Sequence, residues 1–111
     1  MEFKKMYEEK LVTAEQAAAV VKSGDWVDYG WTTGTPVAVD HALAKRLPEL
    51  TDVNFRGGIL MWVPEIFKIE NPAEHMAWNS WHMGGVGAKA IAQGFCFYAP
   101  IRYSELPRYY R

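Results

Sequence analysis

The clearest structural signal in the sequence is the stretch Asp25-Trp-Val-Asp-Tyr-Gly30-Trp-Thr-Thr-Gly34-Thr-Pro36-Val-Ala-Val-Asp-His-Ala-Leu-Ala44. Its first residues favour a strand, and the two glycines permit the backbone angles of a tight turn. Pro36 suits the first position of a helix, and Thr35 is placed to cap that helix. The stretch therefore predicts a strand over 25–29, a turn, and a helix from Pro36 to Leu47 that ends at Pro48.

This predicted turn is also a candidate binding site. A helix N-terminus at the carboxyl end of a strand is where open α/β sheets bind ligands. Its free N–H groups favour an anion or a developing oxyanion. The candidate residues are Gly34, Thr35, Pro36 and Val37. The alternative interpretation of these four residues is ordinary strand-to-helix turn chemistry.

The N-terminal region before this stretch is predicted to be helical. Residues 1–10 form a charged helix with Phe3, Met6 and Tyr7 on one face, suited to pack as an arm on a neighbouring surface. Thr13-Ala-Glu-Gln16 is a capping box that starts a second helix, and Ser23-Gly24 ends it with Gly24 in the left-handed conformation.

Strands and helices alternate through the rest of the chain. The strands are predicted at 25–29 (buried on both faces), 52–57 continuing through Gly57-Gly58 to Trp62, 75–82 and 95–98; the helices at 64–69, at 88–93 closed by Gly94, and at 104–111 capped by Ser104. Such alternation indicates βαβ units with right-handed crossovers. We therefore expect an α/β fold with an open, mostly parallel sheet of about four strands and flanking helices.

The composition bounds the class of protein. With 111 residues, 50% of them hydrophobic, the chain fits one domain over 1–111. A net charge of −1 argues against a nucleic-acid binder, and no apolar run reaches the ~18 residues of a membrane span. Its first ten residues lack a signal-peptide core, and the single Cys96 cannot form an internal disulfide. We expect a soluble protein of a reducing cytoplasm.

Other polar or flexible features have competing interpretations. His82 fits hydrogen bonding to a substrate carboxylate or acid–base work, or a purely structural role. Gly84-Gly85-Val-Gly87 lacks the lysine and hydroxyl of a Walker motif, which favours a flexible hinge over a phosphate loop. Cys96, between two phenylalanines, is expected to be a core thiol. The three histidines and Cys96 show no metal-ligand spacing, so no metal site is predicted.

An ordered set of motifs resembles one enzyme family. The segments are Lys10-Leu-Val-Thr-Ala-Glu-Gln16, Ser23-Gly-Asp-Trp-Val-Asp-Tyr-Gly30, Gly34-Thr-Pro36-Val-Ala-Val-Asp40-His-Ala-Leu43, Asn79-Ser-Trp-His82-Met-Gly84 and Tyr103-Ser-Glu-Leu-Pro107-Arg-Tyr-Tyr-Arg111. Together they resemble the start of the acetyl-CoA hydrolase/transferase family, closest to the 4-hydroxybutyrate and butyryl-CoA:acetate CoA-transferases. Each motif alone is weak, whereas the set in order over nearly the whole chain is specific.

The resemblance implies transfer of coenzyme A between an acyl-CoA and a free carboxylic acid, through attack of a glutamate on the thioester. It implies a two-domain enzyme whose glutamate lies in the second domain, so that this chain is the N-terminal part of an incomplete first domain. None of Glu65, Glu70, Glu74 or Glu105 matches the catalytic motif, and no catalytic residue is assigned.

The resemblance also implies where substrate binds. The loop at Gly34-Thr35-Pro36 would line the acyl and carboxylate pocket, and Asn79, Ser80 and His82 would lie on the strand facing it. The expected partners are acyl-CoA, a carboxylate, and a missing C-terminal portion or second chain. A sheet cut off after its fourth strand exposes an edge and an apolar face, which predicts a homo-oligomer. The alternative is a stand-alone, non-catalytic α/β module that acts through self-association or a partner chain.

Overall fold

The sheet consists of four parallel strands in sequential order. The computed structural model describes residues 2–110; Met1 and Arg111, at the ends of the first and last predicted helices, lie outside the described residues. The strands are β1 (Trp26–Asp28), β2 (Val53–Gly57), β3 (Met76–Ser80) and β4 (Cys96–Tyr98), in the order β1-β2-β3-β4. Every neighbouring pair is parallel. The predicted open parallel sheet is confirmed.

Helical segments connect and flank these strands. The α-helices are α1 (Phe3–Lys10), α2 (Ala14–Ala18), α3 (Val37–Arg46), α4 (Pro72–His75), α5 (Gly85–Ala92) and α6 (Leu106–Tyr109), and 3₁₀ turns cover Thr32–Gly34, Leu47–Glu49, Glu65–Lys68 and Tyr103–Glu105. The capping box that begins α2 is present, with Thr13 Oγ1 accepting from the Gln16 N–H at 3.1 Å and Gln16 Oε1 accepting from the Thr13 N–H at 2.9 Å.

The hydrophobic core lies on one face of the sheet. Phe55 of β2 and Trp78 of β3 are fully buried there, and they form one cluster with Ala18, Leu43 and Ala90 from three different helices. Right-handed crossovers between strands in sequential order carry every connecting helix to the same side of the sheet. The other face is therefore left without a helical layer from these crossovers.

The position of β1 corrects one prediction. The strand was expected to be buried on both faces, but β1 is an edge strand and its Trp26 is 58% exposed on the face opposite the connecting helices. The continuation of β2 to Trp62 is also wrong, because β2 ends at Gly57. At that point β1 has turned away at Gly30, and the Ile59 carbonyl accepts from the N–H of Thr32 in the following loop.

Several helix ends also differ from the predictions. Helix α3 begins at Val37 with Pro36 as its N-cap, since the Thr35 hydroxyl donates to the Thr32 carbonyl instead of capping the helix. Helix α5 begins at Gly85, and not at Ala88, so two of the glycines expected to form a hinge lie in its first turn.

Near the termini, α2 ends at Ala18, although Gly24 does adopt the predicted left-handed conformation with φ +84°. Ser104 does not cap the last helix, because it lies inside the 3₁₀ turn that precedes α6. On α1, Phe3 and Tyr7 are exposed, and the surface that this helix would cover stays a prediction.

Candidate functional site

The loop after β1 is held by its own hydrogen bonds. Backbone N–H groups of Gly34, Thr35 and Val37 donate to the carbonyls of Trp31, Thr32 and Thr35 at 2.8, 3.4 and 2.9 Å. Pro36 has no N–H group to offer. The N–H groups that the sequence analysis assigned to a substrate oxygen at these positions are therefore engaged within the loop.

A cavity opens at the carboxyl ends of the central strands, beside the N-terminus of α5. Its volume is about 400 Å³. It is lined by Gly58, Ile59, Leu60, Ser80, His82, Met83, Gly84, Gly85, Val86, Gly87 and Tyr98. Ser80 and His82 from the predicted site thus share one cavity, and the loop at 34–37 is not part of its lining. We call this space the β2–β3 cavity.

His82 is a polar side chain of the β2–β3 cavity that is held between aromatic rings. Its ring packs edge-on against Trp31, with centroids 4.8 Å apart, and tilted against Tyr103 at 5.7 Å. Its Nδ1 is buried and has no hydrogen-bond partner among residues 2–110. The hydroxyl of Ser80 donates to the His82 carbonyl, which ties the end of β3 to the start of the following loop. An imidazole nitrogen can donate or accept according to its tautomer, and no partner among these residues fixes which role this atom takes.

Trp31 keeps its place against His82 because residue 58 is glycine. A Cβ added to Gly58 would lie 2.6 Å from two atoms of the Trp31 ring. A glycine pair at the end of a strand is typical of a kink or of a close approach to the backbone, and the structure shows a close approach at Gly58. Gly58 thus leaves room for the Trp31 ring, which in turn packs against His82 in the cavity lining.

Asn79 lies on the opposite face of the sheet from Ser80, because successive strand residues point to opposite faces. Its Nδ2 donates to the Phe55 carbonyl at 3.1 Å. It contributes to a second cavity of about 350 Å³, lined by Trp26, Arg56, Asn79, Trp81, Ala99 and Tyr109. The structure therefore brings together only Ser80 and His82, and separates them from Asn79.

A cluster around Arg56 on this second face was missed by the sequence analysis. Arg56 Nε lies 3.0 Å from Asp28 Oδ2, its Nη1 donates to the Tyr109 carbonyl at 3.1 Å, and its guanidinium lies 4.5 Å from the centroid of the Tyr110 ring. The Tyr110 hydroxyl donates to Asp28 Oδ2 at 2.6 Å, and burial together with Asp28 raises the pKa of Tyr110 to about 12. The C-terminal segment is thereby fastened across β1 and β2.

A buried carboxylate below the β1 loop was also missed. Asp40 of α3 is 1% exposed and accepts a hydrogen bond from the Tyr29 hydroxyl at 2.8 Å. It also accepts from the N–H groups of Glu65 at 2.7 Å and Ile66 at 3.3 Å. Burial, and then Asp40, raise the pKa of Tyr29 well above its ordinary value. This carboxylate joins the residue after β1 to α3 and to the 3₁₀ turn Glu65–Lys68.

Some other classes of site find no support in residues 2–110. No three of their His, Cys, Asp and Glu side chains are grouped as a metal ion would need. None of their helices combines the length and the apolar character required to cross a bilayer. Cys96 is buried, as expected, and burial raises the pKa of its thiol to about 11.

The sequence is similar to those of known CoA-transferases. Over 111 residues the chain is 63% identical to the butyryl-CoA:acetate CoA-transferase of Anaerostipes caccae, covering 100% of this chain and 25% of that protein. It is 43% identical to a probable butyrate:acetyl-CoA coenzyme A-transferase of Syntrophomonas wolfei, covering 91% of this chain and 22% of the relative. The chain thus spans about a quarter of the length of these relatives.

The fold recurs in a solved structure. The crystal structure of RipA from Yersinia pestis matches with a TM-score of 0.80 at 22% identity, over 97% of this chain and 27% of that one. The sequence model of the acetyl-CoA hydrolase/transferase N-terminal domain matches residues 1–110. By this match the chain belongs to the acetyl-CoA hydrolase/transferase family, whose N-terminal domain it resembles over nearly its whole length.

Proposed function

We propose that this chain is the N-terminal portion of an acyl-CoA:carboxylate CoA-transferase or acyl-CoA hydrolase, and that it supplies one wall of the acyl and carboxylate pocket. The observation that carries the proposal is the β2–β3 cavity, which holds Ser80 and His82 at the carboxyl ends of parallel strands. Ligands bind at this end of open α/β sheets, in clefts of roughly 300–1,000 Å³.

The lining of the cavity suits an uncharged acyl group. Ile59, Leu60, Met83 and Val86 provide apolar surface, and none of the Lys, Arg, Asp and Glu side chains of residues 2–110 lines the cavity. Apolar walls with a few polar groups orient a small ligand without charge pairing. The imidazole of His82, which lines the cavity, then provides a polar group for a carbonyl or carboxylate oxygen.

The nucleophile of the proposed reaction comes from outside this chain. A glutamate carboxylate attacks the thioester carbonyl and expels the CoA thiolate, which leaves a mixed anhydride. The thiolate then attacks the glutamyl carbonyl, which releases the first acid and forms a glutamyl-CoA thioester. Among residues 2–110, acidic side chains are absent from the lining of the cavity. This supports the proposal that the glutamate comes from another part of the enzyme.

The remaining predicted site residues keep a role in this proposal. Gly34 to Val37 and Asn79 would meet substrate or the rest of the pocket only in the assembled enzyme. Coenzyme A is then a substrate, and butyrate and acetate are the acids suggested by the names of the relatives. We further propose that the enzyme works in the cytoplasm and as an oligomer.

A chimera tests the proposal. This chain replaces the matching quarter of the Anaerostipes caccae protein, to which it is 63% identical. We expect the chimera to transfer CoA from acetyl-CoA to butyrate, and the isolated chain to show none of this activity. His82→Gln should lower kcat/KM in the chimera, whereas His41→Gln, at an exposed position of α3, should not. A folded but inactive chimera, or turnover by the isolated chain, would contradict the proposal.

A non-catalytic module that self-associates is the second candidate. The face of the sheet opposite the connecting helices favours it, since Trp26 and Phe97 are 58% and 54% exposed there. Exposed aromatic surface of this kind is typical of interaction sites. Light scattering on the isolated chain distinguishes a monomer from a self-associated form. A monomer at high concentration would count against self-association.

A further inference from the structure

Gly87 stands at an unusual position for a glycine, because it lies in the first turn of α5 and is buried. Glycine in a helix is less favourable than alanine by about 1 kcal/mol, so packing must account for its presence there. A Cβ added to Gly87 would lie 2.7 Å from Sδ of Met83. The missing side chain therefore makes room for the Met83 thioether.

Met83 is half-buried between the hydrophobic core and the β2–β3 cavity. It packs against the hydrophobic core on one side and lines the β2–β3 cavity on the other. The core is close-packed, whereas the cavity is open space. A thioether pushed away from residue 87 would consequently enter the cavity and shorten it.

We propose that Gly87 is a specificity-determining residue, which sets the depth of the β2–β3 cavity through Met83 so that the cavity takes a short, unbranched aliphatic chain. The inference rests on the proposed function, because it assumes that the acyl group occupies this cavity. Gly87 is itself part of the cavity lining, and it sets the depth through Met83 without a catalytic contact.

The size of the effect follows from the geometry. Ordinary van der Waals contact needs about 3.5–4.0 Å, so Met83 Sδ must move by roughly 1 Å when residue 87 gains a methyl group. This is close to the length that one methylene adds to an extended chain. One buried methylene contributes about 0.8 kcal/mol, which corresponds to about a fourfold change in affinity. Gly87→Ala should therefore shift the preferred chain length by about one carbon.

The test uses the isolated 111-residue chain and a series of straight-chain acids from acetate to hexanoate, with 2-methylpropanoate as the branched probe. Binding is measured by NMR titration, with the methionine methyl groups labelled so that Met83 reports on the cavity. We expect the Met83 methyl to shift, straight chains to bind better than the branched one, and affinity to rise with length up to a limit. In Gly87→Ala that limit should be about one carbon shorter.

Two further variants make the result specific. Gly87→Ala/Met83→Ala should restore the longer limit, since the displaced thioether is gone. Ala88→Leu adds apolar volume on the exposed side of the same helical turn and should leave the ranking unchanged. Because alanine is the better helix former, Gly87→Ala should remain folded, which its NMR spectrum will show directly.

An unchanged ranking in folded Gly87→Ala would overturn the inference, and so would the absence of any Met83 shift in the wild-type chain. The chimera reports separately on the proposed function. An active chimera with an unchanged ranking would refute the role of Gly87 alone. An inactive chimera with the expected ranking would refute the CoA-transferase proposal alone.

Discussion

Replacing Asp40 with alanine should be among the most destabilising single changes in this chain. The carboxylate is 1% exposed and accepts hydrogen bonds from the Tyr29 hydroxyl and from the N–H groups of Glu65 and Ile66. In Asp40→Ala these donors lose their acceptor in the interior. Each buried donor left without a partner costs about 1–3 kcal/mol.

The expected total destabilisation is smaller than the sum of the largest costs for the three donors. Water can enter the space left by the carboxylate and accept hydrogen bonds from some of them. The third contact is also long, at 3.3 Å. We therefore expect a loss of about 4 kcal/mol in the free energy of unfolding. That is a large share of the ~5–15 kcal/mol typical of a domain, and it corresponds to a fall in Tm of roughly 15 °C.

Urea unfolding followed by tryptophan fluorescence measures this loss. Tyr29→Phe is the matched variant, since it removes one donor and leaves both N–H groups bound to Asp40, and it should cost about 1–2 kcal/mol. The double variant should be less destabilised than the sum of the two single changes. A loss below about 1 kcal/mol for Asp40→Ala would refute the reasoning, because it would mean that the buried donors find other partners at little cost.

Three more predictions concern the core and the cavity. Burial raises the pKa of Cys96 to about 11, so a thiol reagent at pH 8 should label the native chain far more slowly than the urea-unfolded chain. The pKa of Tyr29 is raised above 10.0, so its contribution to stability should be constant below pH 10 and be lost as the pH rises further, as urea titrations at several alkaline pH values would show. Gly58→Ala should destabilise the fold by about 1–3 kcal/mol, because the new methyl meets the Trp31 ring, whereas Gly34→Ala meets nothing within 4 Å and should be tolerated in the same unfolding assay.

Features that depend on a few neighbouring residues could be predicted from the sequence. The capping box at Thr13 and the left-handed conformation of Gly24 are present as expected. Each follows from local backbone chemistry and needs no knowledge of the fold. The alternation of strands and helices was equally visible, because it is set by composition and by turn residues along the chain.

Features that depend on strand register could not be predicted in the same way. Asp28 meets Arg56 because they occupy paired positions of β1 and β2, and nothing in either segment alone reveals that register. The Asp40 tether likewise joins elements far apart in sequence. Asn79 is different, because strand alternation already assigns it and Ser80 to opposite faces. Treating the two as one polar segment overlooked a rule that needs only the sequence.

Trp26 is exposed, against the prediction, because of the strand order of the sheet. An apolar strand next to a helix is typical of a strand buried on both faces, and a strand order that placed helices on both sides would have covered this tryptophan. In the order β1-β2-β3-β4, right-handed crossovers put every connecting helix on one face, and β1 forms an edge. The open face is then covered partly by the chain itself, through Tyr110 over Arg56. Trp26 remains 58% exposed beside that contact because the C-terminal segment covers only part of the face.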